Sequence, residues 1–260
     1  MKKAKKIILA LLLPIGLIAN DNYTGRQIAE MAKDANKSKS RIVEAELTVI
    51  ENGKEIETRS IGIRTLRENN LDKVLFRFTS GLKRDVTFLS LEQPGDKDNI
   101  QYIYIPNVGR PRQIASSEKQ NDFEDTVFTN EDLGGRKIDD YNYNRLPDQE
   151  VKNGNETFQC YVIEATSKDK NAKFPKIKMW IDKATLLPVR YQSFGKDGKP
   201  VRIGISANVK EIKKGIYMPY FVNAKDLETK RETKMVVKNV IVDPNINPTM
   251  FNPQNIHKPW

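Results

Sequence analysis

His257 and Cys160 are the single histidine and the single cysteine of this 260-residue chain. One histidine excludes a multi-histidine zinc site and argues against a serine–histidine–aspartate relay. One cysteine excludes an intrachain disulfide and any paired-cysteine metal or redox motif. Cys160 lies in the apolar run Phe158-Gln159-Cys160-Tyr161-Val162, where a buried, unreactive thiol is the default. Carboxylates remain for acid–base work. Glu124/Asp125 and Glu131/Asp132 have the residue types of a glycosidase pair, and an alternative reading as a carboxylate hydrolase rests on them. Adjacent acids in a polar stretch more often cap helices or sit in water, and no supporting motif accompanies these. Asp96-Lys97-Asp98-Asn99 begins like an oxygen-ligand calcium loop, but the required glycine is missing and Asn107 stands where a closing acid is needed. The sequence therefore predicts no enzyme, no cofactor and no metal site, and leaves binding as the available capability.

Composition narrows the partner. Hydrophobic residues make up 38% and charged residues 30%, too polar for a polytopic membrane protein. Lys plus Arg number 44 against 34 Asp plus Glu, a net charge of +10. Part of that excess is in a secretory signal peptide predicted over residues 1–19. Lys2, Lys3, Lys5 and Lys6 form its basic start, and Ile7 to Ala19 is an apolar run shorter than the roughly 20 residues that span a bilayer. The mature remainder, residues 20–260, reads as a single exported domain. It carries no basic stripe interleaved with aromatics, so no nucleic-acid partner is expected.

The elements come from capping and periodicity. Thr24 and Gln27 form a capping box, and Ile28, Met31, Ala32 and Ala35 share one face of a helix over Thr24–Ala35. Strands follow. Val43, Ala45, Leu47 and Val49 alternate with polar residues up to Asn52-Gly53, a hairpin signal. Val74, Phe76 and Phe78, then Val86 and Phe88 opposed to Leu89 and Leu91, then Tyr102 and Tyr104 opposed to Ile103 and Ile105, continue the pattern. Trp180, within Met179-Trp180-Ile181-Asp182, reads as a packing residue. The runs add up to about eleven antiparallel strands with one apolar face, and one helix of about three turns cannot cover such a sheet. The sheet must curl, close in part, or enclose something. Asn107–Arg145 breaks the strand pattern and is the candidate lid or plug, with Thr129 capping a short helix and Asp132 at its third position. The proline-rich tail, Asp243–Trp260, is expected to be an extended cover.

The stretch Asn121-Asp122-Phe123-Glu124-Asp125-Thr126-Val127-Phe128-Thr129-Asn130-Glu131-Asp132-Leu133 resembles the signature of the outer-membrane lipoprotein-sorting proteins, relatives of the periplasmic lipoprotein carrier LolA in the LolA/LolB superfamily. Asp125, Val127 and Asn130 depart from that pattern. Ile103-Tyr104-Ile105-Pro106 followed by Gly109-Arg110-Pro111-Arg112-Gln113-Ile114 is similar to the family's tyrosine–proline strand, and Lys178-Met179-Trp180-Ile181-Asp182 with Leu187-Pro188-Val189-Arg190 to its tryptophan strand pair. The resemblance implies a mainly β fold, an unclosed antiparallel barrel with a helical plug or lid, and movement of a lipid or lipoprotein acyl chain between inner and outer membranes. It also implies a periplasmic location, an inner-membrane transporter and an outer-membrane acceptor as partners. A non-catalytic adaptor subunit of an envelope export complex is the alternative. The side chains expected to bind lipid are Val74, Phe76, Phe78, Phe88, Tyr102, Tyr104, Phe123, Phe128, Met179 and Ile181. A 16-carbon chain needs shelter worth roughly 10 kcal/mol at about 0.8 kcal/mol per CH₂.

Overall fold

Alternation sets the architecture from Ser40 onward. In β1 (Ser40–Glu51) Val43, Ala45, Leu47 and Val49 are buried while Glu44 faces solvent. Asn52 and Gly53, with φ of 51° and 80°, make the left-handed turn that only such residues adopt readily, and the chain returns as β2 (Lys54–Glu68). Further hairpins give β3 (Leu71–Phe78), β4 (Thr87–Leu91), β5 (Ile100–Tyr104) and a two-residue β6 (Arg112–Gln113). After a crossover come β7 (Tyr141–Asn153), β8 (Glu156–Ser167), β9 (Lys176–Asp182), β10 (Pro188–Phe194), β11 (Pro200–Lys213), β12 (Ile216–Asp226) and β13 (Arg231–Val242). The computed structural model describes residues 21–95 and 97–260; the predicted signal peptide over 1–19 lies outside the described residues.

All thirteen strands belong to one antiparallel sheet of order β6-β5-β4-β3-β2-β1-β13-β12-β11-β10-β9-β8-β7. The chain lays down two meanders, and they join where β1 pairs with β13. β6 and β7 are the two edges, so the barrel is unclosed. The sequence predicts about eleven strands; the two in excess are β6, too short to show alternation, and β7, whose Tyr-Asn-Tyr-Asn start alternates between aromatic and amide rather than apolar and charged. Among the described residues no helix is long and apolar enough to cross a membrane.

The topology dictates where the plug must go. A chain leaving edge β6 can reach edge β7 only by passing over the open side of the sheet. That crossover, residues 114–140, carries helix α2 (Asn130–Gly134), whose Thr129 and Asp132 form the predicted cap. Helix α1 (Gly25–Asp34) carries the Thr24/Gln27 capping box and lays the buried Ile28 and Ala29 against Tyr161, Ile163 and Ile181 of β8 and β9. Both helices lie on the concave face.

The other face of β2–β5 is covered by the tail. Ile246, Phe251 and Ile256 pack on Leu66, Leu75 and Leu89, and Arg77, also buried, donates to the carbonyls of Ile256 at 2.5 Å and Lys258 at 2.8 Å. Trp260 stacks on Arg64 and Arg77, 4.6 and 4.9 Å from its ring centroid. Its ring lies so close to Gly62 that a Cβ there would sit 2.6 Å away. Tyr102 and Tyr104 belong to this outer cluster, which corrects their assignment to the lipid-binding set. Phe88 pairs with Ile103 and Leu89 with Tyr102, so Ile103 faces the inside. Both parities of β5 are apolar or aromatic, and alternation alone carries no sign of which is which.

Candidate functional site

Four phenylalanines fill the centre of the concave face. Phe123, delivered by the crossover and 1% exposed, stacks on Phe78 at 5.6 Å and meets Phe76 and Phe88 edge-on at 5.4 and 5.8 Å. Its loop is a local invention of the sequence: Glu124 adopts φ 50°, Thr126 Oγ1 donates to the Phe123 carbonyl at 2.7 Å, and the Phe123 amide donates back to Phe128 O at 2.6 Å. Ion pairs hold its tip to the sheet, Lys83 to Glu124 at 2.8 Å and Arg59 to Asp125 at 3.2 Å.

Two apolar hollows flank the plug. The first, about 220 Å³, is walled by Leu47, Ile63, Val74, Phe76, Val222 and Met235 of the sheet and by Phe123, Phe128 and Leu133 of the crossover. The second, about 230 Å³, lies under α1 and is walled by Ala29, Ala32, Tyr143, Ile163, Ile177, Met179 and Ile181. Asp132 borders both. Of the predicted lipid-binding residues, Val74, Phe76, Phe123 and Phe128 meet in the first hollow, and Met179 and Ile181 in the second. Phe78 and Phe88 are fully buried beneath Phe123. Tyr102 and Tyr104 are on the far side of the sheet.

The divider between the hollows is polar. Arg202 on β11 is 1% exposed. Its Nη1 donates to Asp132 at 2.6 Å and to the Val127 carbonyl at 3.0 Å, and its guanidinium lies 4.3 Å from the Phe174 ring centroid. Arg136 pairs with the same carboxylate, and the Thr129 amide donates to it at 2.9 Å. Burial alone would push the Asp132 carboxyl up, but the guanidiniums of Arg136 and Arg202 overcome it and hold the group well below the usual carboxylate range. Burial likewise opposes charge on Arg136, and Asp132, with Tyr141 and Glu131, outweighs it and raises that group. Burial raises Glu131, whose carboxylate has, among the described residues, the Arg136 Nε at 3.6 Å as its ion-pair partner. Tyr191 is pushed up to about 12 by burial, with its ring against Gly204, where a Cβ would lie 2.1 Å from it.

This arrangement suits sequestration of an apolar group. Asp132 is engaged by two arginines and a cap, so that carboxylate is committed to holding α2 down. Burial pushes the Cys160 thiol up to about 12, which suppresses the thiolate. Sequence reading missed Leu47, Val222, Met235 and the anchor Arg202. An arginine inside Val201-Arg202-Ile203-Gly204-Ile205 is the visible sign, a charge within an otherwise apolar run.

A profile of a family described as "Uncharacterized protein" matches residues 70–258. No curated protein matches the chain. Among solved structures, an outer membrane lipoprotein-sorting protein domain from Vibrio parahaemolyticus is 22% identical with a TM-score of 0.81, over 90% of this chain and 98% of that one. A DUF1329 family protein from Desulfovibrio piger is 21% identical with a TM-score of 0.78, over 88% and 95%. A LolA superfamily protein from Nitrosomonas europaea is 14% identical with a TM-score of 0.66, over 88% and 98%. The fold is therefore the LolA-like open barrel that the sequence motifs imply.

Proposed function

We propose, from the premise that this chain belongs to the family described as "Uncharacterized protein" and folds as a LolA-like open barrel, that it is a periplasmic carrier for an acyl chain of a lipid or lipoprotein. The supporting observation is the pair of apolar hollows on the concave face, roofed by a helix and a loop that take no part in the sheet. Val74, Phe76, Phe123, Phe128, Met179 and Ile181 are the side chains proposed to meet the chain. The lipoprotein-sorting description of the Vibrio domain points the same way.

Magnitudes decide which roof yields. At about 220 and 230 Å³, each hollow is below the range of about 300–1,000 Å³ usual for ligand pockets, so loading requires movement. Withdrawing the Phe123 ring gives up about 1.5–3 kcal/mol of burial, against roughly 10 kcal/mol for a 16-carbon chain entering. Helix α1 is tied across the mouth by surface pairs, Arg26–Asp139 at 2.6 Å and Lys33–Glu92 at 2.8 Å, which are weak in water. Helix α2 is pinned by a buried ion pair whose rupture costs about 3–5 kcal/mol. Thus α1 and the Phe123 ring move aside, while α2 and Val127, both held by Arg202, stay as a partition. An inner-membrane transporter as donor and an outer-membrane acceptor would complete the path.

The test is gentle purification from the native envelope followed by native mass spectrometry and lipid extraction. A mass increment matching an acylated molecule is expected. A clean apo mass, together with failure to take up lipid from vesicles, would overturn the carrier reading and favour the adaptor.

A further inference from the structure

The gap between the sheet edges holds a third cavity, of about 310 Å³, and it is polar. Its floor is Gln101 of β5, 1% exposed, and Glu131 of α2. The Gln101 amide nitrogen is committed to the Asn130 carbonyl at 3.2 Å, and the neighbouring Asn99 nitrogen to Gly134 O at 3.2 Å. Those bonds orient both amides and leave Gln101 Oε1 and Asn99 Oδ1 buried without a donor among the described residues. Unsatisfied buried acceptors of this kind are uncommon and costly. On the rim stand Lys137 and Lys168, neither of which makes an ion pair among the described residues, with Asp98, Asp139, Asp140 and Asp169 beside them and Lys119 paired to Asp98 at 3.2 Å. Tyr141 lines both this recess and the second apolar hollow, so the two spaces adjoin around one side chain.

We propose that this recess receives the headgroup of a zwitterionic phospholipid of the phosphoethanolamine type: its ammonium on Gln101 Oε1, Asn99 Oδ1 and Glu131, its phosphate on Lys137 and Lys168. An ammonium brings three donors to the acceptors left open, and a phosphate suits point-charge lysines. A hard divalent cation fits less well, because it takes six or more oxygens at about 2.0–2.6 Å and the described residues form no group of three or more acidic, histidine or cysteine ligands. Burial, which raises Glu131, marks it as a carboxylate still lacking a full counter-charge. This inference rests on the carrier reading and sharpens it to a substrate class.

The test loads the full-length mature protein from vesicles holding equal phosphatidylethanolamine and phosphatidylglycerol, and quantifies extracted lipid by mass spectrometry. Wild type should take the ethanolamine lipid at least about ten-fold over the glycerol lipid, a difference of about 1.4 kcal/mol. Glu131→Gln should bring the two to near parity, whereas Lys168→Gln should lower both and keep their ratio. Free phosphoethanolamine should compete for uptake, and inorganic phosphate should not restore the Glu131→Gln ratio. Equal uptake of both lipids by wild type would overturn the headgroup assignment while leaving the carrier intact. No uptake of either would overturn the carrier reading and this assignment with it. A preference abolished by EDTA would assign the recess to a divalent cation and sink the ammonium assignment.

Discussion

Arg202 Nη1 on β11 lies 2.6 Å from Asp132 Oδ2 on α2, so a buried ion pair spans the inside of the sheet and holds the crossover helix against it. The partner is not interchangeable: the same nitrogen also takes the Val127 carbonyl, and Arg136 shares the carboxylate.

Arg202→Met should therefore destabilise the fold by about 3–5 kcal/mol, since it leaves Asp132 with a single guanidinium. Adding Asp132→Asn should recover part of that loss. Urea denaturation of both single variants and the double variant reads the coupling; additive losses would show that the pair does not anchor α2.

Phe123 and Phe128 should separate packing from binding. Phe123→Ala opens a void under the plug and should cost about 3–5 kcal/mol, yet retain lipid uptake because the space it vacates is the ligand's. Phe128 is half-buried on the wall of the first hollow, so Phe128→Asp should fold and lose uptake. Vesicle extraction assays on the two variants measure this; full uptake by Phe128→Asp would count against the first hollow as the binding space.

The outer face gives the opposite expectation. Tyr102→Ala should lose about 0.5–3 kcal/mol of stability and leave uptake at the wild-type level, because its ring packs under the tail. Ile256→Ala should cost about 2–5 kcal/mol by the same outer cluster. Thermal melts alongside extraction assays would expose any contribution of this face to binding.

The two neighbouring acids should respond to pH with opposite signs. Asp132 is held below its unfolded value of about 3.9, so its contribution is full above about pH 4 and is lost as the pH falls towards the folded value. Glu131 is raised by burial, so the folded state binds its proton more tightly, and stability falls as the pH rises from about 4.3 through the folded value. Glu131→Gln should then be more stable than wild type at pH 7, with the difference shrinking as the pH falls through the folded value and gone below about pH 4.3. Denaturation midpoints measured from pH 3 to 8 check the sign.

Much of this was legible before any coordinates. The Thr24/Gln27 and Thr129/Asp132 caps, the Asn52-Gly53 turn and the inward row Val43, Ala45, Leu47 and Val49 each express a local rule, and local rules survive folding. The crossover over 121–133 stood out because its polar and aromatic mixture interrupts the strand rhythm. What escaped was non-local. Whether Ile103 or Tyr102 faces inward depends on pairing with β4, and whether Arg202 is a surface charge or an anchor depends on a helix residue 70 positions away. The recess at the sheet gap escaped for the same reason: Gln101, Glu131 and Lys168 come from three segments that only the unclosed edge brings together.

The meeting of β1 with β13 has a consequence for biogenesis. Arg41 lies opposite Val242, so the middle of the sheet is stitched from the two extremes of the polypeptide. Neither meander can find its seam until both have been synthesised. Pairings of such long sequence separation form slowly. A sheet built this way is completed from its centre, and only once its last strand is available.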